Sequence, residues 1–135
     1  MADVLEPLNS LERRLAEAQQ GTLPLRTFLD TLVYSPGYIL LDRAAEDARS
    51  LDEIHPLVVT GGDETPMLAL FTSAERAERS RRGSERHPHV KRVSTAWVLK
   101  GLQRGVGLVV NPGWKLGFEL PPDDVQRLLL EINVP

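Results

Sequence analysis

The run from Gly105 to Leu120, GVGLVVNPGWKLGFEL, limits the possible folds more than any other stretch of the chain. Leu108, Val109 and Val110 are continuously apolar, as a strand buried on both faces should be. Asn111-Pro112-Gly113 then forces a turn, because proline fixes φ while asparagine and glycine tolerate the left-handed region. Beyond it Leu116, Phe118 and Leu120 recur at every second position and so share one face of an extended chain. The reading is a buried strand, a tight turn and a second strand. It contains no obvious acid, base or nucleophile.

The rest of the chain supplies elements to pack around this hairpin. Asn9 followed by Glu12 fits a capping box, and Leu8, Leu11, Leu15 and Ala18 keep helical spacing up to a stop at Gly21. A second helix follows Thr22, with Pro24 in its first turn and Leu25, Phe28, Leu29, Leu32 and Val33 as its apolar stripe, ending at Ser35-Pro36-Gly37. Tyr38 to Leu41 reads as a short buried strand, and the polar segment Asp42 to Glu53 as a long loop. Leu57 to Thr60 and Met67 to Thr72 flank Gly61-Gly62-Asp63-Glu64 and predict an antiparallel hairpin.

Ser73 is placed to cap a helix running to about Arg82 that is polar almost all round, with Glu75 at its positive end. Val90 to Val93 is a further strand, and Ser94 or Thr95 caps a helix carrying Trp97, Val98 and Leu102 before Gly105. Pro121-Pro122 opens a last helix, with Asp123 and Asp124 in its first turn and Val125, Leu128, Leu129 and Ile132 as its apolar face. The order of strands and helices from Met67 to Val110 permits right-handed crossovers, so part of the sheet should be parallel. The expected class is α+β: a mixed five- or six-stranded sheet with helices on its faces, two of them N-terminal and one C-terminal. At 135 residues, positions 1–135 are read as one domain.

Composition removes several kinds of chemistry. There is no cysteine, hence no disulfide, thiolate metal site or cysteine nucleophile. No stretch approaches the roughly 18 apolar residues of a membrane-spanning helix, and the acidic start MADVLEPLNSLERR lacks the apolar core of a signal peptide. A cytoplasmic protein is expected. The formal net charge of −3 offers no global attraction to nucleic acid or anionic lipid. Its distribution is uneven: residues 75–92 are rich in Arg and Lys, and residues 119–131 are acidic.

Three segments together carry a resemblance. The Asn9-Ser10-Leu11-Glu12 helix start, Phe71-Thr72-Ser73 with Glu75-Arg76 close behind, and Gly105 to Gly113 followed by Leu120-Pro121 are similar to the N-terminal domain of the SseB family. The resemblance implies a small bacterial protein of mixed helix and strand, of the type named for enhanced serine sensitivity, with no established catalytic residues to carry over. Other members look longer, with a second C-terminal domain.

Candidate sites are few. His87-Pro88-His89 could offer two imidazoles to a metal, but no third ligand is evident and the neighbours are mainly cationic. Neither a metal nor a cofactor is expected. Gly61 to Thr65 lacks the lysine and hydroxyl spacing of a nucleotide loop and suits a turn. Ser73, Ser84 and Ser94 sit in no nucleophile-elbow pattern, and Asp52-Glu53, Asp63-Glu64 and Asp123-Asp124 read as solubility or capping residues. Arg79, Arg81, Arg82 and Arg86 read as a solvated face or a surface for an acidic protein; without interleaved aromatics, nucleic acid is not expected, nor is a membrane. Trp114 is either an exposed interface anchor or a core residue.

Phe71, Thr72 and Ser73, with Arg76 just beyond, and Asn111, Gly113 and Trp114 follow the carboxyl ends of predicted strands, the rim where open sheets place sites. The leading expectation is a non-enzymatic module that binds another protein through these seven residues, with a homodimer as a further candidate. The alternative is a small-molecule sensor or weak hydrolase using a pocket near Ser73 and Asn111.

Overall fold

A computed structural model describes residues 7–43, 51, 54–60, 63–83 and 85–131. Most of the segment Asp42 to Glu53 lies outside them, as do Gly61, Gly62, Ser84 and Ile132. The described elements, in order, are α1 (Ser10–Gln20), α2 (Leu25–Val33), β1 (Pro36–Leu41), β2 (Val58–Thr60), β3 (Pro66–Leu70), α3 (Ala74–Arg81), β4 (His89–Ser94), α4 (Thr95–Gly101), β5 (Gly107–Val110), β6 (Phe118–Leu120) and α5 (Pro122–Glu131). The protein is α+β.

The six strands form two ladders. β2, β3, β5 and β6 lie in that order, with β3 and β5 parallel and both outer pairs antiparallel, while β1 and β4 form a separate antiparallel ribbon. The ribbon is stitched to β3 where Tyr38 and Phe71 exchange backbone hydrogen bonds of 2.9 and 2.8 Å. Part of the sheet is parallel, as the element order implies, and that part is β3 with β5; β4, which lies between them in sequence, leaves to pair with β1. Pro36 and Gly37, expected to terminate α2, are the first residues of β1. Pro36 tolerates this because it opens the strand.

Alternation along the strands divides the core in two. Leu68, Leu70, Leu108 and Val110 point into a larger cluster closed by Leu15 of α1, Phe28 and Leu32 of α2, Val98 of α4 and Val125 of α5. Met67, Ala69 and Val109 point the other way, into a smaller cluster with Leu40, Phe71 and Ala77 of α3. Burial on both faces is why β3 and β5 are unbroken apolar runs. Their parallel pairing places both carboxyl ends, Phe71-Thr72-Ser73 and Asn111 to Trp114, at one rim of the sheet.

Helix ends follow their local chemistry. The Asn9 side chain accepts from the Glu12 N–H and Gly21 closes α1 at φ 84°. Ser73 and Ser94 accept from the N–H groups three residues on, at 3.2 Å in each case. After β5 the turn uses the positive φ of Asn111, 52°, and Gly113, 87°. α3 departs from the sequence reading: it is not polar all round, because Arg76 and Ala77 face inward and are buried.

Candidate functional site

α1 lays its buried stripe, Leu11, Glu12 and Leu15, toward the rim. The middle member of that stripe is a carboxylate, fully buried. Burying a charge costs several kcal/mol unless it is paired and hydrogen-bonded. Arg76, 1% exposed, meets that need through a bidentate contact: Nε donates to Glu12 Oε2 at 2.9 Å and Nη2 to Oε1 at 2.8 Å. The Leu8 N–H donates to Oε1 at 2.9 Å and the Thr72 hydroxyl to Oε2. Burial pushes the Glu12 carboxyl up, but the hydrogen bonds from Arg76, Thr72 and Leu8 and the Arg76 charge outweigh it and hold the group below the usual carboxylate range. Glu12 is therefore an anion near neutrality.

Asn111 extends the network across to β5. Its Oδ1 accepts from the Thr72 N–H at 3.0 Å, and its Nδ2 donates to Thr72 Oγ1 and to the Leu116 carbonyl, each at 2.8 Å. Asn9 Nδ2 donates to the Thr72 carbonyl at 2.9 Å, so the residue that caps α1 also ties it to the rim. Over the outer side of Arg76 lies the Trp114 ring, its centroid 4.6 Å from the guanidinium carbon, a cation–π arrangement.

The structure thus brings together Thr72, Arg76, Asn111 and Trp114, with Phe71 and Ser73 adjoining. It also changes what each can do. Phe71, Thr72, Arg76 and Asn111 are buried, so their contribution is to hold the rim's shape. Gly113 is exposed, Trp114 is half-buried, and these two face solvent most directly. Trp114 is neither fully exposed nor part of the core: it packs on Arg76 and is half-buried. Ser73 Oγ is occupied as the α3 cap.

Two small clefts flank the network. One, about 350 Å³, is lined by Asn9, Ser35, Pro36, Tyr38, Thr72 and Ser73. The other, about 320 Å³, is lined by Val59, Met67, Val109, Pro112, Gly113 and Trp114, with Asn111 at its edge. Ser73 and Asn111 therefore open into different clefts, and their polar groups do not converge on one ligand position. Both volumes sit at the lower end of ligand pockets.

The remaining candidates are dispersed. His87 borders a recess with Leu57, Arg82 and Arg86, while His89 starts β4. Among the described residues no group of three or more His, Asp or Glu could hold a metal ion. The Asp63 carboxylate is held below its usual range by hydrogen bonds from Thr65, side chain first and then backbone, a turn-stabilising arrangement. Arg79 and Arg81 pair within α3 with Glu75 and Glu78.

In the sequence Glu12 reads only as part of a capping box, and nothing local assigns Asn9 to the rim. A signal for Glu12 was available: it follows Leu11 and precedes Leu15 at the helical spacing of three, and so lies on the stripe that must be buried.

These features define a small α+β domain whose rim is rigidified by a buried, internally satisfied ion pair and faced by one tryptophan. The family model described as the SseB protein N-terminal domain matches residues 11–127. The chain belongs to the SseB family. No curated protein and no solved structure matches it significantly. Among the described residues no helix is long and apolar enough to cross a membrane.

Proposed function

We propose that this domain is a non-enzymatic protein-interaction module that engages its partner through Trp114 and the adjoining Gly113 turn. The carrying observation is the stack of Trp114 on a guanidinium that is itself locked to Glu12. A large aromatic held in one orientation loses little entropy on binding, which suits it as an anchor. Thr72, Arg76, Asn111 and Glu12 are spent on each other, and Ser73 on its helix, so the rim offers shape and an aromatic surface rather than a free acid, base or nucleophile. A bacterial, cytoplasmic setting and a protein partner with no cofactor belong to the same proposal. Self-association is a special case, in which the partner is a second copy.

The test is affinity purification from the native host, followed by binding measurements with each purified protein recovered. Trp114→Ala should weaken binding of the true partner about thirtyfold, the effect of losing an anchor worth roughly 2 kcal/mol, while Trp114→Phe retains part of it. Circular dichroism should show both variants folded. Unchanged affinity for every recovered protein would remove Trp114 from the interface. Arg76→Ala is unsuitable here, since it strands a buried carboxylate.

A further inference from the structure

We propose that the outer edge of β4 is a docking edge for an acidic, extended segment of another protein, which adds to the β1–β4 ribbon as a third strand. This is a different surface from the Trp114 rim and does not depend on it. The backbone directions of β1 fix those of β4. Tyr38 exchanges hydrogen bonds with Phe71, and the Leu40 carbonyl accepts from the Leu57 N–H at 2.8 Å, so both residues turn their backbone groups away from β4. Their partners across the ribbon are Arg92 and Val90.

In an antiparallel ladder, residues opposite each other either exchange both bonds or neither. The pairs Tyr38 with Arg92 and Leu40 with Val90 are therefore the unbonded kind, and the N–H and C=O of Val90 and Arg92 point outward. Among the described residues no strand lies along that side. β4 is six residues long, twice the length of either outer strand of the other sheet, and its outward groups form a template for strand addition.

Charge selects the occupant. Lys91 and Arg92 lie within the strand, and Arg82 and Arg86 in the segment leading to it; none makes an ion pair among the described residues, and Glu85 is the acid interspersed. This is a local excess of positive charge on a chain of net charge −3. A second β4 edge would set these cations against their own copies, which is how natural edges are kept from self-pairing. An incoming strand bearing Glu or Asp meets complementary charge and open backbone groups together.

The probe is a blocked octapeptide of alternating glutamate and valine, added to the whole chain at low salt while amide exchange is followed by NMR. Strand addition should slow exchange of the Val90 and Arg92 amides about tenfold or more, with little change at Lys91 and Val93, whose N–H groups already face β1. The effect should vanish in Lys91→Glu/Arg92→Glu, and in Val90→Pro, which deletes an outward donor and spares the ladder. It should persist in Trp114→Ala, so failure here and failure of the rim proposal are separable. The inference is overturned by absence of protection at peptide concentrations up to about 1 mM, by protection that survives charge reversal, or by equal protection from a lysine–valine peptide. Equal protection from single-stranded oligothymidylate would likewise replace it with a nucleic-acid site.

Discussion

Replacing Arg76 by methionine should be among the most damaging single changes this domain can suffer. The substitution keeps much of the side-chain volume and removes the two charge-assisted bonds, 2.9 and 2.8 Å long, that hold Glu12. It also removes the cation under Trp114. Glu12 then remains with the Leu8 N–H and the Thr72 hydroxyl, in a site where it is fully buried. Breaking one side of a buried pair costs about 3–5 kcal/mol, chiefly from the charge left behind. Against a total stability of about 5–15 kcal/mol, that is a large fraction.

For a chain of this size the melting temperature should fall by about 10–20 °C. Urea unfolding followed by far-UV circular dichroism is the assay, since tryptophan fluorescence would report on the altered site itself. Removing both partners, as Glu12→Leu with Arg76→Met, should restore at least about 2 kcal/mol relative to Arg76→Met, because no orphan charge remains.

The pH dependence has a definite sign. In the native protein the Glu12 carboxyl is held below its ordinary value, so its contribution is fully present above the ordinary glutamate range and is lost as pH falls through the folded value. In Arg76→Met burial persists without the cation, the carboxyl rises, and protonation relieves the variant as pH falls. The gap between the two proteins should thus be widest near pH 7 and narrow toward about pH 4. A deficit below about 1 kcal/mol, a double variant no better than the single, or a gap unchanged with pH would refute the reasoning.

Two further expectations concern the hairpin. Asn111→Gly should cost less than Asn111→Ala, since both lose the hydrogen bonds to Thr72 and Leu116 while glycine alone accepts φ 52° freely; the difference, read from thermal melts, should be about 1 kcal/mol. Gly107→Ala should destabilise by about 2 kcal/mol or more, because its Cβ would stand 2.6 Å from the Leu120 carbonyl and 3.2 Å from Pro122, backbone and ring that cannot give way; equal melting temperatures would refute it.

The features legible in the sequence were those set locally. The caps at Asn9, Ser73 and Ser94, the stop at Gly21 and the Asn111 turn depend on residues a few positions apart, and each stands as expected. That part of the sheet is parallel followed from element order, though not which strands pair. The separate β1–β4 ribbon did not, because an apolar run does not say which neighbour it joins. The rim was legible as a place, since the carboxyl ends of neighbouring parallel strands must meet. Its chemistry was not: Glu12 and Arg76 stand 64 positions apart, and nothing local distinguishes either from a solvated charge except Glu12's place on an apolar stripe.

The double duty of Asn9 bears on how this domain can be shortened. The match to the family begins at Leu11, yet Asn9 orients the first turn and grips the Thr72 carbonyl, and the Leu8 amide completes the shell around Glu12. A protein trimmed to the matched stretch would keep every strand but place the buried carboxylate one residue from a frayed, positively charged terminus. Expression boundaries for this domain belong ahead of Leu8.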